Sequence, residues 1–559
     1  MEVSATDAAS PAAPETAAEP AARGWRADAA PGSGRRFPAA VGIGSFLVFT
    51  TVLLVRNAYL FSTRIYENQD FAANTIAVLQ AKHFQLLTGN YSKEGFFHPG
   101  PAFLYVMAAG EALFHDALHL VPTPWNGQLI AVLLLNSALI GATLAVIARQ
   151  AGSARVVLTC LVLTLAFVAV HPLTVNSAWF PYLYFAPVLL MLVSAASVAT
   201  GQTFALPPLA LSAWLCVHGQ AEFLLFAPAT VVVALAGLFA AHRDDVRGMI
   251  RGTRRHWIGA AVVSALFALP IFLYTVTNWP GEFGAYLRYR ATAANDHLIH
   301  HSLATSAGFV LRFWWPGTPT GTADRGGRYV LLGLVVVALL LALRCPVPSL
   351  RRFLLWLLAM AGVMTVLFLG YAQTSVENTD ISQQSYLGYF YWAAPLVVTL
   401  VVGAGAVVHL RSGRSVALAL TAAVTAAAVI AAIVPQRQDN PDDPPAKYYG
   451  VPQLPQLVRT LARAADGRPV EVIVADNAWF DAVGVVAYAD RTGVRSCVGG
   501  PGERRYRFLF RPQSICTASE SRAGFQVWFS PPGMKVAPDQ VVVARLREAW
   551  VTRLSSTAR

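Results

Sequence analysis

Charge is scarce in this chain. Asp, Glu, Lys and Arg make up 13% of its 559 residues, while 55% are hydrophobic. A soluble globular protein carries roughly 25% charged residues, so a soluble fold is excluded and a polytopic α-helical membrane protein is expected. No basic soluble domain accompanies the net charge of +12, which is carried mainly by arginine; nucleic acid is excluded as a partner. A glycine-rich phosphate loop is missing too, so nucleotide chemistry has no site. The apolar runs are nearly free of ionisable residues, which argues against an ion-coupled transporter. No small-residue cleavage site follows the first run at the spacing of a signal peptide, so that run is expected to persist as a span. Only five cysteines occur. Cys160 and Cys216 fall in apolar runs and Cys345 beside an arginine-rich turn. Cys497 and Cys516 lie in the polar C-terminal part, where they form a disulfide if that part is outside the cell, or remain two free thiols.

What is abundant is apolar sequence in long runs, near 39–61, 128–148, 156–178, 182–200, 204–218, 223–241, 257–277, 329–343, 353–371, 389–409 and 415–434. Most have the roughly 20 residues a helix needs to cross hydrocarbon, giving about eleven transmembrane helices within residues 38–434. The stretch GFFHPGPAFLYVMAAGEALFH, residues 95–115, is different. Its apolar core is about fourteen residues and Glu111 interrupts it, which suits a helix lying in the interface. Pro99 and Pro101 stand at its start, where a missing amide hydrogen costs least.

Charge parity supports that reading. With 95–115 left out of the count, Arg149 and Arg155, the arginines from 243 to 255, those from 344 to 352, and Arg411 with Arg414 all fall in the cytoplasm with Arg35 and Arg36. Counting the stretch as a span turns every one of those clusters outward and leaves only Arg35 and Arg36 on the cytoplasmic side. Residues 1–37, rich in Ala, Pro and Glu, are then a disordered cytoplasmic tail. Outer loops occupy 62–127 and 278–328, a Pro/Asp-rich linker 435–447, and an extracytoplasmic α/β domain 448–559. In that domain VEVIVADNAW, RYRFLFRPQ and FQVWFS predict strands, and FDAVGVVAYADRTG predicts a helix ending at Gly493.

Chemistry-bearing residues cluster in the outer segments. Glu67 and Asp70 stand just past the first span, and either suits a general base; Asp70 equally suits a helix N-terminus. Arg288, Arg290 and Arg312 lie on the outer side against the charge bias, for phosphate binding or for surface ion pairs. Trp314 and Trp315 suit a sugar ring or the interfacial aromatic belt. His297 and His301 are one helical turn apart, too little for a metal site. No cofactor is firmly predicted, a divalent metal being the weaker alternative. His171, Asn176, His218, Gln220 and Glu222 fall at outer helix ends, where they line a common cavity or satisfy the helix termini. Trp479, Tyr488 and Trp528 offer aromatic platforms or core packing.

The order of span, acidic residue, surface helix, GNY, HPGPAFLY, second surface helix and a span ending in ARQ resembles the GT-C superfamily of lipid-linked sugar transferases. That superfamily includes protein O-mannosyltransferases and aminoarabinose transferases of lipid A. The resemblance covers most of the chain in layout and few residues in motif. It implies a GT-C-like fold with two interfacial helices in the first outer loop. It further implies an inverting glycosyltransferase at the outer face of the cytoplasmic membrane. The donor would be a polyprenyl-phosphate sugar and the acceptor a hydroxyl of a cell-wall glycan, glycolipid or protein. On the resemblance Asp70 takes the base position, and His98, Pro99, Pro101 and Tyr105 match the motif opening the second surface helix. His98 and Tyr105 are accordingly assigned to donor and phosphate binding beside the three arginines. Gln69 replaces a commonly acidic residue, which keeps Glu67 as a rival base; Gln384 and Ser385 precede Tyr386 where relatives often carry Arg. A transporter or flippase of lipid-linked saccharide, or a non-catalytic cell-envelope assembly protein, is the competing expectation.

Overall fold

The computed structural model describes residues 36–296, 301–314, 323–374, 381–410, 451–475, 478–500, 503–546 and 548–554, with scattered positions between 419 and 430. The tail and linker expected at 1–37 and 435–447 lie outside these, apart from Arg36 and Phe37, which open the first helix. Among the described residues seven helices are long and apolar enough to cross a membrane: Arg36–Arg56, Pro124–Ala151, Phe180–Ala199, Phe223–Ala241, Arg254–Thr277, Pro348–Thr374 and Gln384–His409. Three shorter apolar helices, Ala154–Val170, Thr203–Gly219 and Leu331–Leu343, occupy the remaining predicted runs. The exception is the run at 415–434, of which only scattered positions are described. The run at 156–178 is not one continuous helix. It stops at Val170, because Pro172 disfavours helical geometry at His171, and one turn, Leu173–Asn176, follows.

Burial sorts these helices by place. Phe180–Ala199 is buried along its whole apolar window, as a helix apolar on every side must be. Arg254–Thr277 has no buried residue, and Ile258, Val262, Leu266, Leu269 and Leu273 stand exposed at helical spacing along it. Such a stripe is stable only against lipid or another apolar surface.

The first outer loop holds two helices, α1 (Gln69–Lys82) and α2 (Ala102–Gly110), the second continuing as a π-helical turn through Ala117. The helix after Asp70 ends at Lys82 rather than near Gly89; His83 to Pro101 form a folded loop instead. Residues 451–554 make a small sheet domain of order β2-β1-β3-β5-β4, with β1 Val470–Val474, β2 Ser496–Gly499, β3 Phe525–Ser530, β4 Gln540–Arg545 and β5 Trp550–Leu554. The first three strands pair parallel, and β4 and β5 extend the sheet antiparallel. Helix α3 (Trp479–Arg491) crosses from β1 to β2 and ends just before Gly493, whose φ is +71°. Cys497 and Cys516 are joined by a disulfide. RYRFLFRPQ is not a strand. It folds as short helical turns, because its buried residues Tyr506, Leu509 and Phe510 recur at helical spacing.

The sheet domain is docked on the first loop. Ala72, Ala73 and Ile76 of α1 join the domain's core, while Phe71, Ala77, Val78 and Ala81 pack into the bundle. Gly484 permits the close approach of α3: a Cβ there would stand 3.0 Å from the carbonyl oxygen of Glu67. Charge then fixes the register. Arg491, at the end of α3, reaches Glu67 Oε1 at 2.8 Å and pairs with Glu111. Lys82 and Gln128 also donate to Glu111, each at 2.8 Å, and Thr75 donates to Glu67 at 2.8 Å.

Burial alone would push the Glu111 carboxyl up, but the Arg491 charge and the bonds from Arg491, Lys82 and Gln128 outweigh it and hold it below its ordinary value of 4.5. Removing Arg491 leaves the buried Glu67 carboxylate without its ion-pair partner and Glu111 with Lys82 alone, a loss of about 3–5 kcal/mol. Arg491→Met is expected to release the C-terminal domain to limited proteolysis and lower the unfolding temperature, with Arg491→Lys intermediate. A folded-state value depressed in this way contributes stability above the ordinary carboxylate range and loses it as pH falls through the lowered value. The wild-type domain should therefore become protease-sensitive as pH falls below the ordinary carboxylate range, and sensitivity that stays constant from neutral pH down through that range and beyond would contradict the account.

Candidate functional site

A cavity of about 570 Å³ opens where the first loop, the bundle and the sheet domain meet. Its volume falls within the roughly 300–1,000 Å³ of small-molecule sites. Asp70 lies on its wall, in the first turn of α1, where the positive end of the helix favours a carboxylate. Gln69, just before it, adopts φ +52°, a left-handed geometry that a side chain tolerates at a cost of about 1–3 kcal/mol. Both carboxylate oxygens are held: Tyr91 donates its hydroxyl to Oδ1, and Trp179 donates Nε1–H to Oδ2 at 2.7 Å. The carboxylate is thereby aimed while keeping lone pairs for an incoming proton.

Tyr91 belongs to the loop 88–98, which supplies much of the cavity wall and is clamped from three sides. The Phe97 amide donates to Glu282 Oε2 at 2.8 Å, and its carbonyl accepts from the Tyr286 hydroxyl at 2.6 Å. Arg511 of the sheet domain lies over the Phe97 ring, 4.2 Å from its centroid, and donates to Thr88 Oγ1 and the Gly89 carbonyl at 2.7 and 2.6 Å. The backbone of Ala221 donates to His98 Nδ1 at 3.1 Å. Burial pushes His98 down to about 4, so the ring is neutral at physiological pH and, with Nδ1 accepting, carries its hydrogen on Nε2.

The predicted residues divide clearly. Asp70 and His98 line the cavity, as do Gln220 and Glu222. Glu67 does not: it is buried and occupied by Arg491 and Thr75. Tyr105 donates to the Leu86 carbonyl at 3.0 Å, on the far side of the same loop, and is not in the cavity wall. Arg288 is exposed on the helix Gly281–Asp296, and Arg312 is half-buried at the end of Leu303–Arg312; neither reaches the cavity. The side chain of Arg290, like His297 and Trp315, lies outside the described residues. No cluster of three or more His, Cys, Asp or Glu able to hold a metal occurs among the described residues.

Other polar residues prove structural. His218 accepts from the Ala102 amide at 3.3 Å and donates through Nε2 to the Phe267 carbonyl at 2.8 Å, capping α2. A Cβ on Gly100 would collide with its ring, which explains the glycine in HPGP. Asn176 accepts from Asn57, and His171 stacks between Phe167 and Trp392. Trp314 is buried and donates to Tyr391 at 3.1 Å, so it belongs to the core rather than to an aromatic belt. Tyr488 packs edge-on against Tyr66, whereas Trp479 faces the cavity with Phe508.

Sequence reasoning missed Lys93, Trp179, Tyr371 and Tyr386 in the wall. Among the described lining residues the cationic side chain is Lys93, 3.5 Å from Glu94. It sits between GNY and HPGP, two motifs already singled out, and that adjacency was the available signal. Trp179 follows the helix break at Pro172, after which it bonds to Asp70; no local motif marks it. No family model and no curated protein matches this chain.

The imidazole of His98 should show no titration between pH 5 and 8 in NMR spectra of histidine-labelled protein. A midpoint near 6.5, the ordinary histidine value, would mean the ring is solvated and the loop is not packed as described.

Proposed function

We propose that this chain is a membrane glycosyltransferase that moves a sugar from a polyprenyl-phosphate donor to an acceptor hydroxyl, with inversion, using Asp70 as general base. The observation that carries the reading is the placement of Asp70: an oriented carboxylate on the wall of a ring-lined cavity of suitable volume. The other acidic candidate, Glu67, is committed to Arg491 and is assigned a structural role.

The chemistry follows from these positions. The acceptor oxygen forms a bond to the anomeric carbon as its proton passes to an Asp70 oxygen. The bond from that carbon to the phosphate oxygen breaks on the opposite face, and its electron pair leaves with the lipid phosphate. On this reading Lys93 and the Nε2–H of His98, both in the cavity wall, stabilise the charge that grows there.

The GT-C-like architecture, with about eleven spans, fits the ten apolar helices described and the two helices of the first loop. The arginine bias of the helix ends supports the outward sidedness of this reading. Phe223–Ala241 begins beside cavity residues Glu222 and Leu224 and ends before the arginine turn at 243–255; Pro348–Thr374 begins with Arg351 and Arg352 and reaches the cavity at Tyr371. Arginine turns and cavity thus occupy opposite ends of the same helices. With arginine retained in the cytoplasm, the cavity and the sheet domain face outward, where a lipid-linked sugar is presented. The acceptor class, a glycan, glycolipid or protein, follows from that location.

Membranes containing the wild-type chain should transfer labelled sugar from polyprenyl phosphate to an endogenous acceptor. Asp70→Asn should lower the rate by about 10²–10⁴-fold, the range for loss of a general base, without unfolding the protein. Glu67→Gln should instead lower thermal stability and leave the rate per folded molecule within about threefold, since a residue outside the cavity makes no transition-state contact. Full transfer by Asp70→Asn would remove Asp70 from the role.

A further inference from the structure

Four side chains in the cavity wall carry a feature that the base at Asp70 does not use. Asn74, Asn90, Glu222 and Gln384 all line the cavity, and in each a side-chain oxygen is buried without a hydrogen-bond partner among the described residues. Such groups are rare in folded proteins, because an acceptor taken from water and left unmet is costly. Four in one cavity call for a common partner. They come from separate elements: Asn74 one turn beyond Asp70 on α1, Asn90 on the clamped loop, Glu222 before Phe223–Ala241, and Gln384 at the start of the last described span. The four residues therefore reach one cavity from different walls, each with a buried polar oxygen just behind its surface.

Glu222 decides the chemistry of the partner. Its Oε1 accepts the Tyr371 hydroxyl at 2.8 Å, and Oε2 is the oxygen left unmet. Burial raises the carboxyl, opposed by its own backbone amide, Tyr371 and Gln220, and no cation contributes among the described residues. Burial without a cationic partner favours the protonated form, which can donate and accept at once. A sugar hydroxyl does the same. Trp179, Tyr386 and Trp479 add ring faces to the wall, the other half of carbohydrate recognition.

Resting on the transferase reading, we propose that Asn74, Asn90, Glu222 and Gln384 form the sugar-reading subsite of this cavity, selecting a neutral, polyhydroxylated glycosyl unit. A cationic amino sugar would need an ionised Glu222; an acidic sugar would be rejected.

The test uses the full chain in nanodiscs and three probes: farnesyl phosphate, and farnesyl phosphate bearing mannose or arabinose. Binding is read by quenching of intrinsic tryptophan fluorescence, since Trp179 and Trp479 line the cavity. In the wild type at least one sugar should tighten binding about tenfold or more over farnesyl phosphate, as a few well-made hydrogen bonds supply. Glu222→Gln, which keeps a neutral donor and acceptor, should retain that increment within about threefold. Glu222→Ala and Asn74→Ala should lose most of it while still binding farnesyl phosphate, which also shows that they fold.

Two results overturn the proposal: neither sugar improves wild-type binding, or Glu222→Gln loses the increment, as an ionised carboxylate requires. The second holds even if Glu222→Ala fails to fold. Binding of the sugar without transfer by the same preparation would sustain this subsite and sink the transferase reading. Transfer with no sugar increment would do the reverse.

Discussion

The arrangement depends on one buried guanidinium. Arg491 lies between Glu67, at the entrance to the first loop, and Glu111, within its second helix. Three charged groups taken out of water are stable only as a set, so the sheet domain has one way to sit on the loop. That contact completes the cavity: Trp479, Phe508 and Leu509 of the sheet domain line it together with Asp70. A second arginine, Arg511, reinforces the closure by holding Thr88, Gly89 and the Phe97 ring. Arg491 grips the two ends of the segment that carries Asp70, Tyr91 and His98, and Arg511 grips its middle.

Enclosure determines what the side chains can do. In bulk water a lone aspartate is a weak base with no orientation. Here both its oxygens are directed by Tyr91 and Trp179, and the surrounding wall is rich in aromatic rings and mostly uncharged. Low polarity strengthens each remaining electrostatic contact, so the neutral imidazole of His98 and the single cation Lys93, among the described lining residues, carry more weight than their number suggests. Preorganised donors and acceptors of this kind are the main way a protein favours charge development in a transition state.

Much of the fold was legible because the bilayer imposes a period and a length that residues obey locally. Ten of the eleven apolar runs are described as helices, and Pro172 explains where one breaks early. The two loop helices, β1, β3 and the helix ending before Gly493 were likewise readable from pattern. RYRFLFRPQ misled because its aromatic residues fit a strand period as well as a helical one. The site was legible only in part. Asp70 and His98 sit in local motifs, but Glu67 and Asp70 look alike in sequence. What separates them is Arg491, more than four hundred positions away. The arginines of the second outer loop seemed suited to phosphate because of their charge and side, and neither property fixes distance to a cavity. Trp179, Glu222 and Tyr371 converge only through tertiary packing, which no window of sequence contains.

The central claim is that a lipid-linked sugar occupies the cavity with its anomeric carbon turned toward Asp70. A cryo-electron microscopy map of the chain in lipid nanodiscs, with a non-hydrolysable polyprenyl phosphonate sugar bound, examines that claim most directly. The account predicts density for the sugar between Asp70 and Glu222, with the phosphonate beside Lys93 and His98. Density for the ligand at any other surface, with this cavity vacant, would contradict it.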